Sequence, residues 1–532
     1  MNALIVDALA ANEGRRKFSR DAIGAGPRLL AGIFEKNTRD VRIKRVENFL
    51  EDNGEVNERI DLFLISAMSV DKIAVQKAIK KIKNNHPNSK IILGGPILSE
   101  ISISREIKFD VGVIGEGERI VEQLIKCDFN FEIFQEPEYS MNFNIEKDSQ
   151  TLLIQDTKPF NFNIFDLYFS STKRISDYPD HWFSKVYVEL VRGCSNHYRG
   201  DLVKTAGGCS ECGECDDPDT IISGDCPEDI PSGCGFCSVS STFGAPRSKK
   251  IDLISKEVEE LLNHGVRRIV LSAPGFLDFY RGGENKKIFS PTKPSANHEK
   301  LEKLLQILSE IRDKQEQTCS ISIENVKPSL VTAEITKLIG KFLPNTSISI
   351  GCETFDVSHS NLIGRPSEPS RALEAAKLFS ADGISPQIYL IHSLPGETVR
   401  SLEITKEIVE KQLSEYAEKI TVYKYLSLPS SPFTVTDVEL PRKRHLLDIK
   451  RDELKDSIIE FNLEKKKQMI GEKLITIVAE KDRVRENTYI SYPIFSGPAI
   501  SIYSEKSILG NTYAVKIIGA LSDKLLEGKI EF

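Results

Sequence analysis

The chain has 532 residues, 40% of them apolar and 28% charged, with a formal net charge of −7. That length suits roughly three or four domains with sizeable cores. The negative balance excludes a protein that coats nucleic acid through bulk charge, and with no apolar run of about 18 residues no membrane-spanning helix is expected.

The start, Met1-Asn2-Ala3-Leu4-Ile5-Val6-Asp7, lacks a basic region and a small-residue cleavage site, so it reads as a first strand rather than a secretory signal. A cytoplasmic location is expected, where cysteines stay reduced and serve as ligands. Residues 3–6, 60–67, 90–93 and 110–114 are short apolar strands, and 72–85 has helical periodicity. This βαβ rhythm predicts an open, Rossmann-like parallel sheet over residues 1–130. Its strands end in Gly94-Gly95-Pro96 and Gly115-Glu116-Gly117-Glu118. Tight turns alone would explain one such break. Their recurrence on one edge points to a ligand cleft, because open α/β sheets bind ligands there. Residues 131–185 lack a period and read as an ordered linker.

From 186 to 425 strand and helix alternate, with strands near 186–191, 266–272, 320–324, 347–353, 387–392 and 419–425. A helix over 252–264 ends at Gly265, as a helix terminus prefers. Such units predict a partial (βα)6 barrel over 186–435, with chemistry at the C-terminal strand ends. The polar segment 278–300 is expected at that mouth, gating substrate. A charged helix over 445–470 fills a connector, 436–471. Residues 472–532 switch to short strands separated by turn residues, predicting a small antiparallel β-barrel of the oligonucleotide-binding kind. That segment carries eight basic and eight acidic residues, so no net positive field draws phosphates. The expected fold class is α/β, with this β-barrel appended.

Seven of the ten cysteines lie between Cys194 and Cys237, a density that reads as metal binding. Cys127, Cys319 and Cys352 are isolated, and the last two read as packed core thiols. Cys194 follows the first barrel strand. With Cys234 and Cys237 it offers three thiolates, enough for three irons of a [4Fe–4S] cluster, with the fourth iron left open. Residues 195–233 then form an insertion, with nine acidic and two basic residues. It holds Cys209, Cys212, Cys215 and Cys226, four thiols that suit a tetrahedral zinc or a second iron–sulfur cluster. An alternative assigns Cys209, Cys212 and Cys215 to the main cluster. The fit of 189–194 and 234–237 to the flanking strands favours the first assignment.

Glu189, Arg192, Gly193 and Cys194, with Cys234-Gly235-Phe236-Cys237, resemble the cluster motif of the radical SAM superfamily. The departure is that 39 residues, not three, separate the first two cysteines. Ser-Ile-Ser-Ile-Gly-Cys-Glu-Thr at 347–354, Ile-His-Ser-Leu-Pro-Gly-Glu-Thr at 391–398 and Leu-Pro-Ser-Ser-Pro-Phe at 428–433 resemble its later strand-end motifs. The resemblance implies contacts to S-adenosylmethionine (SAM) from Phe236, Glu324, Glu353 and His392.

An α/β domain ahead of such a barrel resembles the cobalamin-binding class. It implies that Ser66, Ala67 and Met68 face the corrin, that Gly94, Gly95, Pro96, Gly115, Glu116, Gly117 and Glu118 form its nucleotide pocket, and that Gly24 to Arg28 add backbone contacts. The Asp-x-His-x-x-Gly motif is absent, so no axial histidine is expected from this domain. With Glu13-Gly14-Arg15-Arg16, the chain resembles the methanogen-type cobalamin-binding radical SAM methyltransferases, nearest those that C-methylate a glutamine of methyl-coenzyme M reductase. The resemblance implies SAM cleavage to a 5′-deoxyadenosyl radical, methyl transfer from cobalamin to an unactivated carbon, the alpha subunit of that reductase as protein substrate, and ferredoxin or flavodoxin as reductant. The last barrel, at 479–483 and 525–530, resembles the TRAM domain, which accompanies tRNA methylthiotransferases. Those need three cysteines in the N-terminal domain, where this chain has only Cys127. Modification of tRNA by another radical reaction is the alternative.

Overall fold

The computed structural model describes residues 1–16, 20–52, 59–100, 102–148, 151–157, 162–440 and 445–531. Residues 149–150 and 158–161 of the expected linker and 441–444 of the expected connector lie outside the described residues. Two compact units form: Met1–Val188 with Lys249–Gly265, and Glu189–Ser248 with Val266–Phe532. Among the described residues no helix is long and apolar enough to cross a membrane.

The first unit is built on β1 (Ala3–Asp7), β2 (Ala22–Ile23), β3 (Arg42–Arg45), β4 (Leu62–Ser66), β5 (Lys90–Gly94), β6 (Val111–Ile114), β7 (Phe143–Asp148), β8 (Thr151–Asp156) and β9 (Lys185–Glu189). Its main sheet has the order β3-β1-β4-β5-β6-β8-β7. All pairs are parallel except the β7–β8 hairpin. Every residue of β1 and β4 is buried, as expected of strands covered on both faces. Helix Lys72–Asn85 packs Ala74, Val75, Ala78, Ile79 and Ile82 into this core. The sheet reverses direction between β1 and β4, the switch point at which doubly wound sheets bind ligands.

The loops flanking that point share one clamp. Asp71 is fully buried, and its carboxylate accepts the N–H groups of Ala10 (3.0 Å), Asn12 (2.7 Å) and Met68 (2.9 Å). Arg16 holds the first loop from behind, pairing with Asp7 at 2.9 Å and with Glu47.

Two sequence expectations need correction here. Residues 131–185, expected as an ordered linker, instead contribute β7 and β8 to the sheet. Helix Ile251–Asn263, expected in the barrel, groups with the first unit. Its Glu257 is fully buried and pairs with Arg28 at 2.9 Å and Lys249 at 3.2 Å. Arg28 therefore anchors a helix in the interior.

The second unit carries β10 (Val191–Arg192), β11 (Arg247–Ser248), β12 (Arg268–Ser272), β13 (Ser320–Ile323), β14 (Asn325–Val326), β15 (Ser347–Glu353), β16 (Ser385–His392) and β17 (Lys419–Lys424). The parallel pairs β12–β13 and β14-β15-β16-β17 are the barrel staves. Helix Ser370–Ala381 packs on β15 and β16. Helix His445–Gln468, expected as a connector, packs on β17 and on helix Val399–Lys411, and so joins the barrel's helical layer. Its Asn462 amide exchanges hydrogen bonds with both backbone groups of Ile420 (3.0 and 2.8 Å).

The closing strands β18 (Lys473–Lys481), β19 (Thr488–Pro493), β20 (Ala499–Tyr503), β21 (Thr512–Ala520) and β22 (Leu525–Ile530) form a closed barrel ordered β18-β19-β20-β22-β21. Four of its pairings are antiparallel, and β20–β22 is parallel. It docks at the N-terminal ends of β12 and β13. Arg267 donates to Thr512 Oγ1 (3.1 Å), Arg268 lies 5.5 Å from the Tyr492 ring, and Ser320 donates to the Ile494 carbonyl (2.5 Å). These contacts are at the end of the staves opposite to the one where barrel chemistry sits.

The Asp71 clamp is directly testable. Asp71→Ala leaves three N–H groups without their acceptor and should cost about 3 kcal/mol of unfolding free energy. Denaturant unfolding followed by circular dichroism measures it, and a loss under about 0.5 kcal/mol would contradict the clamp.

Candidate active site

The cysteine loop starts at an ion pair and a forced turn. Arg192 donates to both carboxylate oxygens of Glu189 (2.9 and 2.8 Å) and pairs in register with Arg247 across β10–β11. Gly193 has φ +90°, and a Cβ there would lie 2.5 Å from the Ala245 carbonyl oxygen. Only glycine fits. Cys194 then donates its N–H to the Gly244 carbonyl at 2.9 Å.

The long separation between Cys194 and Cys234 is closed at its base. Arg199 and Gly233 form a parallel bridge, and Gly233 donates its N–H to the Tyr198 carbonyl at 3.2 Å. The body of the insertion therefore leaves and returns at one place. Asn196 spans the junction, donating from Nδ2 to Cys234 Sγ (3.1 Å) and to the Gly364 carbonyl (3.1 Å). Its own N–H points at Cys194 Sγ, 3.4 Å away. Arg365 Nη1 lies 3.5 Å from Cys234 Sγ, while its Nη2 donates to the Gly351 carbonyl (2.8 Å) and its Nε pairs with Glu353 at 3.0 Å.

Burial, then the neighbouring Cys234, pushes the Cys237 thiol up to about 12, with Cys194 adding to the effect. Burial likewise raises Cys234 against the pull of Arg365. Three neighbouring thiols, two of them with N–H donors aimed at sulfur, form a donor set that suits an iron–sulfur cluster. Among the described residues no three His, Cys, Asp or Glu side chains converge on a single ion. Cluster ligation instead needs one thiolate per iron.

The other strand-end residues have defined partners. Glu353 ends β15 at φ +65° beside a register shift, a strained conformation of the sort found at functional sites. Burial raises its carboxyl against the pull of Arg365. Glu324 accepts from Ser272 Oγ at 2.6 Å, and burial raises it too. Buried His392 closes β16 and shares Nδ1 with Ser393 Oγ at 2.9 Å. Phe236 packs against the apolar cluster that includes Tyr425 and Phe433. Phe433 also donates its N–H to the Gly235 carbonyl at 2.8 Å, so the 428–433 segment meets the cysteine loop. The Leu-Pro-Gly-Glu-Thr turn is structural: Glu397 accepts the Ser393 N–H (2.7 Å) and pairs with Arg451 (2.6 Å), and Thr398 caps the next helix.

In the insertion, Cys215 is buried, Cys212 exposed, and Cys209 and Cys226 half-buried against the hydrophobic cluster around Phe433. They do not converge on a shared tetrahedral site. The 278–300 segment starts as a buried network rather than an exposed gate. Asp278 accepts from Ser195 Oγ (2.9 Å) and pairs with Lys327 and with Arg281 (3.2 Å). Of this segment, 283–287, 293–295 and 298–299 are exposed.

In the first unit, the expected corrin-facing turns share one sheet edge. Ala67 donates its N–H to the Gly94 carbonyl (3.1 Å), and Ser69 Oγ donates to the Pro96 carbonyl (3.2 Å). Gly95, at φ +98°, has no room for a Cβ beside the Ala67 carbonyl, whereas Gly115 faces open space. Met68, Val70 and Ile73 are 41–45% exposed beside the switch point, an apolar surface that suits a corrin face. Glu116 and Glu118 are buried, which leaves the backbone of their turn to meet a ligand.

Sequence reasoning missed Asn196, Arg365, Ser195 and Lys327. Ser195 and Asn196 follow Cys194 and Lys327 follows β14, whereas Arg365 lies after helix Val357–Leu362 and carried no positional signal.

Residues 220–409 match the radical SAM superfamily. The uncharacterized protein MJ1620 of Methanocaldococcus jannaschii is 36% identical over 531 residues, covering 100% of this chain and 98% of its own length. Among solved structures, the radical S-adenosylmethionine methyltransferase TsrM of Kitasatospora setae, with cobalamin and a [4Fe-4S] cluster bound, superposes with a TM-score of 0.56 at 11% identity, over 81% of this chain and 77% of that one. The cobalamin-dependent radical enzyme OxsB, with aqua-cobalamin and S-adenosylmethionine bound, gives 0.54 at 13% identity, over 86% and 56%. These two likenesses establish the fold.

Burial, aided by the charges of Lys455, Arg451 and Lys424, holds His392 down at about 4. The unfolded chain binds this proton near 6.5, so the native state is stabilised above that pH and loses the contribution as pH falls from 6.5 to 4. Unfolding free energy measured across that window should slope less steeply in His392→Gln than in the wild type. Equal slopes would contradict a buried neutral imidazole.

Proposed function

The chain belongs to the same family as MJ1620 and carries a radical SAM domain, and from that premise we propose that it is a cobalamin-dependent C-methyltransferase acting on an unactivated carbon of a protein side chain. The expected target is a glutamine of the alpha subunit of methyl-coenzyme M reductase, and the expected reductant is ferredoxin or flavodoxin, in the cytoplasm. The observation that carries the reading is the closure of the insertion at Tyr198 and Gly233, which gathers Cys194 with Cys234 and Cys237 in one loop.

A [4Fe–4S] cluster with SAM supplies a carbon radical when bound, and a corrinoid supplies the methyl group. The protein's part is to hold and shield these groups. Cys194, Cys234 and Cys237 would serve as thiolates to three irons, with Asn196 and Arg365 donating to Cys234 and offsetting its charge. Phe236, Glu324, Glu353 and His392, at the loop and strand ends, would orient SAM. Ser66, Ala67 and Met68, with the turns at Gly94-Gly95-Pro96 and Gly115 to Glu118, would cradle the corrinoid, with Val70 and Ile73 adding apolar contact. The placement of the small barrel at the N-terminal ends of β12 and β13 favours protein modification over RNA modification, because RNA held there would be remote from the strand C-termini.

The test is anaerobic reconstitution with iron and sulfide, then SAM, reductant, methylcobalamin and a glutamine peptide from methyl-coenzyme M reductase, read by mass spectrometry. Wild type should form 5′-deoxyadenosine and a methylated peptide. Cys194→Ala, Cys234→Ala and Cys237→Ala should each reduce deoxyadenosine to background. Undiminished formation in all three variants would contradict the ligand assignment. Deoxyadenosine without corrinoid binding would remove the methyltransferase reading.

A further inference from the structure

We propose that Lys327, fixed by Asp278 and Ser195, is a positioning residue for Cys194 whose surplus positive charge raises the reduction potential of the cluster held there. The proposal rests on the functional reading above, because it concerns the same cysteines.

The geometry is a buried, charged knot behind the first ligand. Asp278 lies in the turn after β12, and its side chain has no solvent exposure. Ser195, the residue after Cys194, donates its hydroxyl to Asp278 Oδ1 at 2.9 Å. Lys327, just past β14, pairs with Asp278 and donates from Nζ to Ser195 Oγ at 2.5 Å. Arg281 pairs with the same carboxylate at 3.2 Å, and its side chain is also fully buried. Its other nitrogens donate to the carbonyls of Ser290, Pro291 and Pro294. Two strand-end turns are thus tied to the cysteine loop through one hydroxyl.

The charge count does not balance. One carboxylate faces two cations, leaving one positive charge in excess where water does little to screen it. Burial works against the ionised Asp278, yet Lys327 and Arg281 outweigh it and hold the carboxyl below its ordinary range. Arg281 spends its other nitrogens on loop carbonyls, so Lys327 is the cation that meets the cysteine loop, through Ser195 Oγ. A cluster on three thiolates becomes more negative when it takes up one electron from an external reductant. A fixed cation nearby favours that state, and net charge is one of the levers on cluster potential.

Charge and structure are separated by the sign of two substitutions. The reconstituted full chain is titrated with mediators and followed by electron paramagnetic resonance, with iron and sulfide counted per chain. Lys327→Met removes the cation and should lower the midpoint potential, whereas Lys327→Arg should leave it near the wild-type value. Asp278→Asn removes the anion and should raise it. Shifts of Lys327→Met and Asp278→Asn in the same direction, or no shift in either at full iron content, overturn the proposal. If Lys327→Met loses its cluster, Asp278→Asn alone decides: a rise supports the proposal, and a fall or no change overturns it. A wild type that takes up no cluster overturns both this proposal and the functional reading. A wild-type cluster with a charge-insensitive potential overturns this proposal alone.

Discussion

The site depends on one backbone closure. Cys194 and Cys234 are far apart in sequence, yet Gly233 donates to the Tyr198 carbonyl and pairs with Arg199, so the chain returns to its point of departure. Arg199 secures the closure from within, donating to the carbonyls of Ile230 (2.7 Å) and Gly224 (3.0 Å). The entropy of closing a loop grows only logarithmically with its length, so a long insertion is tolerated provided its base is pinned. Gly200 makes the packing possible, since a Cβ there would lie 2.4 Å from the Gly364 nitrogen. Asn196 then binds the pinned base, Cys234 and Gly364 into one unit.

Around that closure, buried charges do most of the positioning. Asp71 clamps the two loops at the switch point of the first unit, and Glu257 anchors a helix through Arg28 and Lys249. In the second unit Arg365 links Glu353 to Cys234, and Asp278 links two strand ends to Ser195. Each is a charged group with several partners, the condition under which burying an ion is tolerable. Removing one partner strands the others. The loops at the strand ends are therefore held by networks, while the strands beneath them are held by apolar packing.

The strands were legible because burial on both faces writes itself as continuous apolar runs: Leu62–Ser66 and Lys90–Gly94 needed no tertiary information. β3 was not legible, because three of its four residues are charged, and Arg45 is buried through tertiary hydrogen bonds to the carbonyls of Arg20 and Ala22. The β7–β8 hairpin was hidden by the polar residues flanking it, and only pairing with β6 makes it part of the sheet. Cys194, Cys234 and Cys237 were singled out from spacing and motif, and the base of the insertion returns the chain from Cys194 to Cys234. Their partners Asn196, Arg365 and Lys327 were not found, since each acts through a contact between distant segments that no local pattern encodes. The Leu-Pro-Gly-Glu-Thr turn shows the converse, a motif whose glutamate serves Arg451 and the Ser393 backbone.

The central claim is that three cysteines hold a cluster with one iron open to SAM. Electron paramagnetic resonance of the reduced, reconstituted protein, recorded with and without SAM labelled with nitrogen-15 at the methionyl amine, tests it most directly. The account predicts that SAM changes the cluster signal and that the labelled nitrogen couples to it. A cluster signal that SAM leaves unchanged, with no coupling to the label, would contradict it.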